Sequence, residues 1–217
     1  MHTGFRARLL AGDRLIGTLI SLPSPEVAEL LAEVGFDWLF IDAEHGPFES
    51  AGALRLLQAV GARCAPLVRH CKYPPWGTRG VGIARAHRYG LGFSDYITEA
   101  NDGLAVIVQA EHIEAVRDIA AIARVPGVDA VLIGPYDLSA SMGKPGQITD
   151  PEVRGAIDTV RKECLAAGVR LGIFGLSAAA VRPYLEDGFT LITVGMDTVF
   201  LSQAARAALA DLTPPAD

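Results

Sequence analysis

Val128-Asp129-Ala130-Val131-Leu132-Ile133-Gly134-Pro135-Tyr136-Asp137 is the stretch on which the reading of this chain turns. Its centre, Ala130 to Ile133, offers no polar residue to water on either side. It therefore reads as a strand buried on both faces, which then runs through Gly134-Pro135 to a carboxylate, Asp137. The pattern recurs. Trp38-Leu39-Phe40-Ile41 ends in Asp42, Glu44 and His45, and Pro66-Leu67-Val68 ends in Arg69 and His70. Ala105-Val106-Ile107-Val108 ends in Gln109 and Glu111. Parallel strands lying side by side carry such residues to one rim, the end of an α/β sheet at which sites are built.

Working outward, the pattern predicts strands over 15–22, 36–42, 65–69, 104–110, 128–134, 169–174 and 190–195. Helices are expected over 25–34, 48–60, 112–124, 150–167, 177–187 and 198–211. Ser24 is placed to cap the first of these, with Pro25 at its first position, and Gly35, Gly168 and Gly188 mark αβ turns. Alternating strand and helix means βα units and a parallel sheet. Seven strands is an odd number, because a closed (β/α)8 barrel has eight and typically about 250 residues. Between Arg69 and Leu104 no stretch qualifies as a buried strand, which marks where a unit is missing.

With 217 residues, 50% of them hydrophobic, the chain is expected to form one domain over 1–217. The net charge is −6 and no basic block stands out, which argues against nucleic acid and anionic membranes as partners. Cys64, Cys71 and Cys164 show no C-x-x-C spacing and read as reduced thiols. Arg6, Arg8, Asp13 and Arg14 interrupt the opening residues, and no membrane-length apolar run follows. The expected location is the cytoplasm.

The rim residues have definable chemistry. Glu111 and Asp137 at neighbouring strand ends match a hard divalent cation, which takes carboxylate oxygens and completes its shell with water and substrate. Solvated loop acids would give the same spacing. Arg69 suits a carboxylate or an oxyanion with its planar fork, or equally a structural ion pair. His45, three residues after Asp42, suits acid–base work oriented by a carboxylate, or a structural hydrogen bond. Lys72, Lys144 and Lys162 are the only lysines and none ends a predicted strand, which argues against Schiff-base catalysis. Arg79-Gly80-Val81-Gly82 lacks the context of a phosphate loop.

With these residues assembled, the chain resembles the HpcH/HpaI family of metal-dependent class II pyruvate aldolases. The matching stretches are Gly35 to Pro47 (GFDWLFIDAEHGP), Pro66 to Arg69 (PLVR), Tyr73 to Gly80 (YPPWGTRG), Val108 to Glu111 (VQAE) and Gly127 to Gly143 (GVDAVLIGPYDLSASMG). The resemblance implies a TIM (β/α)8-type barrel and a divalent metal, Mg2+, Mn2+ or Co2+, on Glu111 and Asp137. It implies His45 and Asp42 as catalytic groups, Arg69 as catalytic and substrate-binding, and Gln109, Gly134 and Pro135 beside the substrate. It also implies a homo-oligomer, a dimer-based hexamer, with helix 198–211 at an interface. The implied reaction is reversible cleavage of a 4-hydroxy-2-oxo acid to pyruvate and an aldehyde. Two alternatives stay open: a non-catalytic remnant without a closed barrel, and a decarboxylase of 2-oxo diacids such as oxaloacetate. Relative to the family, about one βα unit of about 30 residues is short between Arg69 and Tyr73.

Overall fold

The computed structural model describes residues 4–42, 64–83 and 85–212. Among the described residues six parallel strands make one sheet: β1 (Leu15–Ile20), β2 (Trp38–Ile41), β3 (Ile107–Ala110), β4 (Ala130–Ile133), β5 (Arg170–Gly175) and β6 (Leu191–Met196). Their order is β2-β1-β6-β5-β4-β3. Each strand neighbours its sequence successor except across β2 and β3, and β1 pairs with β6. That is the cyclic order of a (β/α) barrel opened between β2 and β3, a partial TIM-like barrel.

The helices are α1 (Phe5–Ala11), α2 (Pro25–Val34), α3 (Cys64–Cys71), α4 (Phe93–Gly103), α5 (Ile113–Arg117), α6 (Ile119–Ile122), α7 (Pro135–Ser141), α8 (Pro151–Ala167), α9 (Ala178–Glu186) and α10 (Asp197–Leu212). Ser24 caps α2 by accepting from the Val27 N–H at 3.3 Å. Gly35, Gly168 and Gly188 take φ of 102°, 72° and 90°, the left-handed turns that return the chain to the sheet. The predicted helix 112–124 is broken at Asp118 into α5 and α6, and a helix not predicted from the sequence, α7, follows β4. The predicted helix 48–60 lies outside the described residues.

One expectation is overturned. Residues 65–69, read as a strand, belong to helix α3. The reason lies in the turn that follows. The Thr78 N–H donates to the Arg69 carbonyl at 2.7 Å and the Arg79 N–H to the Lys72 carbonyl at 2.9 Å. Gly77, with no side chain, lies directly against both carbonyls. Asn101 clamps Tyr73 from both sides, accepting from its N–H at 2.7 Å and donating to its carbonyl at 3.0 Å. A helix ending at Cys71 presents those carbonyls, which a strand would commit to its ladder.

Period-two alternation divides the strands between two cores. The outer face (Val108, Val131, Ile133, Leu171, Ile173, Ile192) packs on Ile119, Ile122, Val153, Ile157, Val160 and Cys164 of the helices. On the inner face, Leu15, Ala130 and Leu191 pack on Leu9 of α1, with Phe5, Trp38 and Ile107 beside them. Helix α1 thus closes the N-terminal mouth of the sheet. Arg6 fixes it there with a bidentate pair to Asp129 (2.8 and 3.0 Å), whose carboxylate also accepts the Val106 N–H at 2.8 Å. Asp129 is 5% exposed, so Arg6→Ala would strand a buried carboxylate. The expected loss is about 3 kcal/mol, checked by urea titration. Asp129→Asn added to Arg6→Ala should recover part of that loss.

Candidate active site

Four residues up each inner strand from the lowest layer, the apolar pattern gives way to polar residues. Asp42 lies four beyond Trp38, Glu111 four beyond Ile107 and Gly134 four beyond Ala130. Asp42, Gln109, Glu111, Gly134, Tyr136 and Asp137 line one cavity of about 270 Å³, whose apolar wall includes Leu19, Phe40, Leu132 and Phe174. The size suits a small acid, at the low end of ligand cavities of roughly 300 Å³.

Each polar group is held by the local fold. Strand β3 pairs with β4 so that Ala110 faces Ile133, which brings Glu111 beside Gly134. A Cβ at Gly134 would stand 2.9 Å from Glu111 Oε2, so the missing side chain makes room for the carboxylate. Gln109, two residues earlier on the same face, donates its Nε2 hydrogen to Glu111 Oε2 at 2.9 Å. Asp137 rides in the first turn of α7, whose start is set by Pro135. Asp42 follows β2 directly, its N–H on the Ile20 carbonyl at 3.0 Å.

The two carboxylates therefore open on the same space. They are hard oxygen donors, and the absent Cβ at Gly134 leaves room beside one of them. Among the described residues no group of three or more His, Cys, Asp or Glu side chains forms a ligand cluster. The donor set fits a cation that takes its other ligands from water and substrate oxygens.

Of the expected site residues, Asp42, Gln109, Glu111, Gly134 and Asp137 border this cavity, and Pro135 adjoins it as the first residue of α7. His45 lies outside the described residues. Arg69 is not brought to the cavity. It is exposed on α3, whose Val68 packs against Gly127 in the turn before β4. Lys72, just beyond α3, donates to the Asn101 and Leu104 carbonyls at 2.6 Å, ahead of β3. Arg69 thus sits at the N-terminal end of the sheet, opposite the carboxylates, because it feeds the Tyr73 turn. Sequence reasoning missed Thr193, Phe174 and Tyr136 in the wall. The inner-face alternation was the signal that could have found Thr193, two residues beyond Leu191.

Comparison with known proteins adds an independent finding. Residues 62–204 match the model of the HpcH/HpaI aldolase/citrate lyase family. The hydroxypyruvate/pyruvate aldolase of Pseudomonas aeruginosa is 35% identical over 241 aligned positions, covering 93% of this chain and 90% of that protein. The 4-hydroxy-2-oxo-heptane-1,7-dioate aldolase of Salmonella paratyphi B is 38% identical over 246 positions, covering 95% and 93%. A crystal structure of an HpcH/HpaI aldolase/citrate lyase family protein from Burkholderia cenocepacia superposes with a TM-score of 0.85 at 36% identity, covering 95% of this chain and 98% of that one.

Proposed function

The chain belongs to the HpcH/HpaI aldolase/citrate lyase family, and from that premise we propose that it is a class II, divalent-metal-dependent aldolase that cleaves a 4-hydroxy-2-oxo acid reversibly to pyruvate and an aldehyde. The observation that carries this reading is the meeting of Glu111, Asp137 and Gln109 on one cavity at the C-terminal ends of β3 and β4. Glu111 and Asp137 would hold the cation, Mg2+, Mn2+ or Co2+. When bound, it supplies a Lewis acid for the negative charge that develops on the 2-oxo oxygen as the C3–C4 bond breaks. Gln109 keeps the Glu111 carboxylate turned toward the cavity, and the Gly134-Pro135 backbone borders the substrate carboxylate. We assign to His45, together with Asp42, the C4 hydroxyl proton, taken in cleavage and returned in condensation. Arg69 has no part in this proposal.

The alignments with both relatives run over 241 and 246 positions, more than the 217 residues of this chain, which supports a barrel shortened relative to theirs. We place that difference, about one βα unit, between Arg69 and Tyr73. Only His70, Cys71 and Lys72 separate them, which is too little to climb a strand to the rim and return. A homo-oligomer of dimer-based hexamer type fits the exposed apolar side chains of Trp76, Val81, Ile83, Tyr89 and Leu91, and of Leu201 and Leu212 on α10. In this reading α10 lies at an oligomer interface. No helix among the described residues is long and apolar enough to cross a membrane, and Cys71 and Cys164 are free thiols. We place the enzyme in the cytoplasm on that thiol chemistry.

The test is proton–deuterium exchange at the pyruvate methyl group, followed by NMR in D2O with Mg2+ and again after chelation. The expected result is exchange that needs both protein and metal. A folded sample that exchanges nothing with Mg2+, Mn2+ or Co2+ would sink the aldolase reading in favour of a non-catalytic family member.

A further inference from the structure

A second cavity lies in the helical layer, outside the sheet. Arg154, Ile157, Asp158 and Arg161 recur on α8 at spacings of three and four and so share one face of it. The side of α9 turned toward them carries Ala179, Ala180 and Pro183, none long enough to cross to α8. Between the two helices a groove of about 520 Å³ is left, within the range of small-molecule sites. Its floor is apolar. Ile157 and Phe189 are 3% and 2% exposed, and the Phe189 ring meets Tyr184 edge-on at 5.2 Å. The upper end reaches Phe174, which also walls the catalytic cavity.

The groups above this floor define a ligand. Arg161 is committed to Asp158, at 2.6 and 3.0 Å. Arg154 lines the groove with no ion pair among the described residues. Burial pushes the Tyr184 phenol up, against the pull of Arg154 beside it, so it stays a protonated donor. A guanidinium and a phenol together suit one carboxylate, and the planar fork of arginine matches its two oxygens. Asp187, which caps the far end of α9 and also acts on Tyr184, repels a second anionic group. We propose that this groove is a second, non-catalytic binding site that takes a small aromatic monocarboxylate, its ring on Ile157 and Phe189 and its carboxylate on Arg154 and Tyr184. None of these groups takes part in the aldol reaction, so the site stands or falls apart from it.

The experiment titrates the full chain, with Mg2+ and with pyruvate present to occupy the catalytic cavity, against benzoate and against benzamide, its uncharged match. Ligand-observed NMR follows the binding. Benzoate is expected to saturate and to bind about tenfold tighter than benzamide, the difference one charge-assisted hydrogen bond makes. Arg154→Gln should bring benzoate down to the benzamide level while leaving benzamide within about twofold. Ala179→Phe, which fills the groove, should remove both ligands. Arg154 is exposed, so its variant should fold with Tm unchanged and decides the matter alone if the phenylalanine variant does not. Benzoate that does not saturate, or that binds both variants as it binds the wild type, overturns the proposal. Occupancy that falls as the protein concentration rises also overturns it, because a second copy of the chain then fills the groove.

Discussion

Asp137→Ala is expected to lower metal-dependent turnover of a 4-hydroxy-2-oxo acid by about a hundredfold or more, with little change in stability. Asp137 is exposed at the mouth of the cavity and its side chain is no part of the core, so truncation to alanine should leave the fold intact. What it removes is one of two carboxylates facing the space where Glu111 is held by Gln109. A cation left with Glu111 alone has lost half its protein charge, and its affinity should fall with the rate. Raising the metal concentration should therefore recover part of the activity. Titration calorimetry with Mn2+, beside initial rates across a metal series, reads both effects. Unchanged turnover at limiting metal would remove Asp137 from the cation site.

The second large effect is structural. Asp197, 4% exposed, accepts four hydrogen bonds: from the Ser21 N–H (2.8 Å), the Ser21 hydroxyl (2.7 Å), the Leu22 N–H (2.7 Å) and the Thr198 N–H (2.7 Å). It stands where β6 ends and ties that end to the exit of β1. Asp197→Ala would leave those donors facing each other without an acceptor. The expected loss is about 3 kcal/mol, or roughly 6–12 °C in Tm for a chain of this size. Burial by itself pushes the Asp197 carboxyl up, but the Leu22, Ser21 and Thr198 hydrogen bonds outweigh it and hold the group below the ordinary carboxylate range. The sign follows from linkage. A depressed folded-state pKa stabilises fully above the unfolded value, about 3.9, and the contribution fades as pH falls through the folded value. The stability gap between wild type and Asp197→Ala should thus be constant near neutrality and narrow below about pH 4. Urea titrations from pH 3 to pH 7 check this, and a gap that widened in acid would contradict it.

Much of the fold was legible because it is written locally. An all-apolar run such as Ala130-Val131-Leu132-Ile133 tolerates only burial on both faces, and a glycine at Gly168 or Gly188 tells where a helix must turn back. Six of seven expected strands are present for that reason. The failure at Pro66-Leu67-Val68 has the opposite cause. The run is apolar enough for a strand, but the carbonyls behind it are required by Thr78 and Arg79, and that demand is set by residues ten positions away. Arg69 went astray with it, since a residue's end of the sheet depends on the element that carries it. Glu111 and Asp137 were legible as neighbours on one cavity because one follows β3 directly and the other stands a short step past β4, in the first turn of α7. Thr193 of the wall was passed over because a threonine inside an apolar strand is common, although its place two residues beyond Leu191 puts it on the inner face.

The pairing of β1 with β6 has a consequence for synthesis. Leu15 meets Leu191 across that seam, and no strand made earlier can occupy β1's open side. At about 5–20 residues per second, a ribosome needs roughly 9–35 s to travel from one to the other. During that interval β1 and β2 can dock on each other, but the flank that β6 will cover stays open. The nascent chain must therefore be kept from associating with its neighbours until its last strand arrives, and Asp197, the residue that fastens the seam, follows immediately behind.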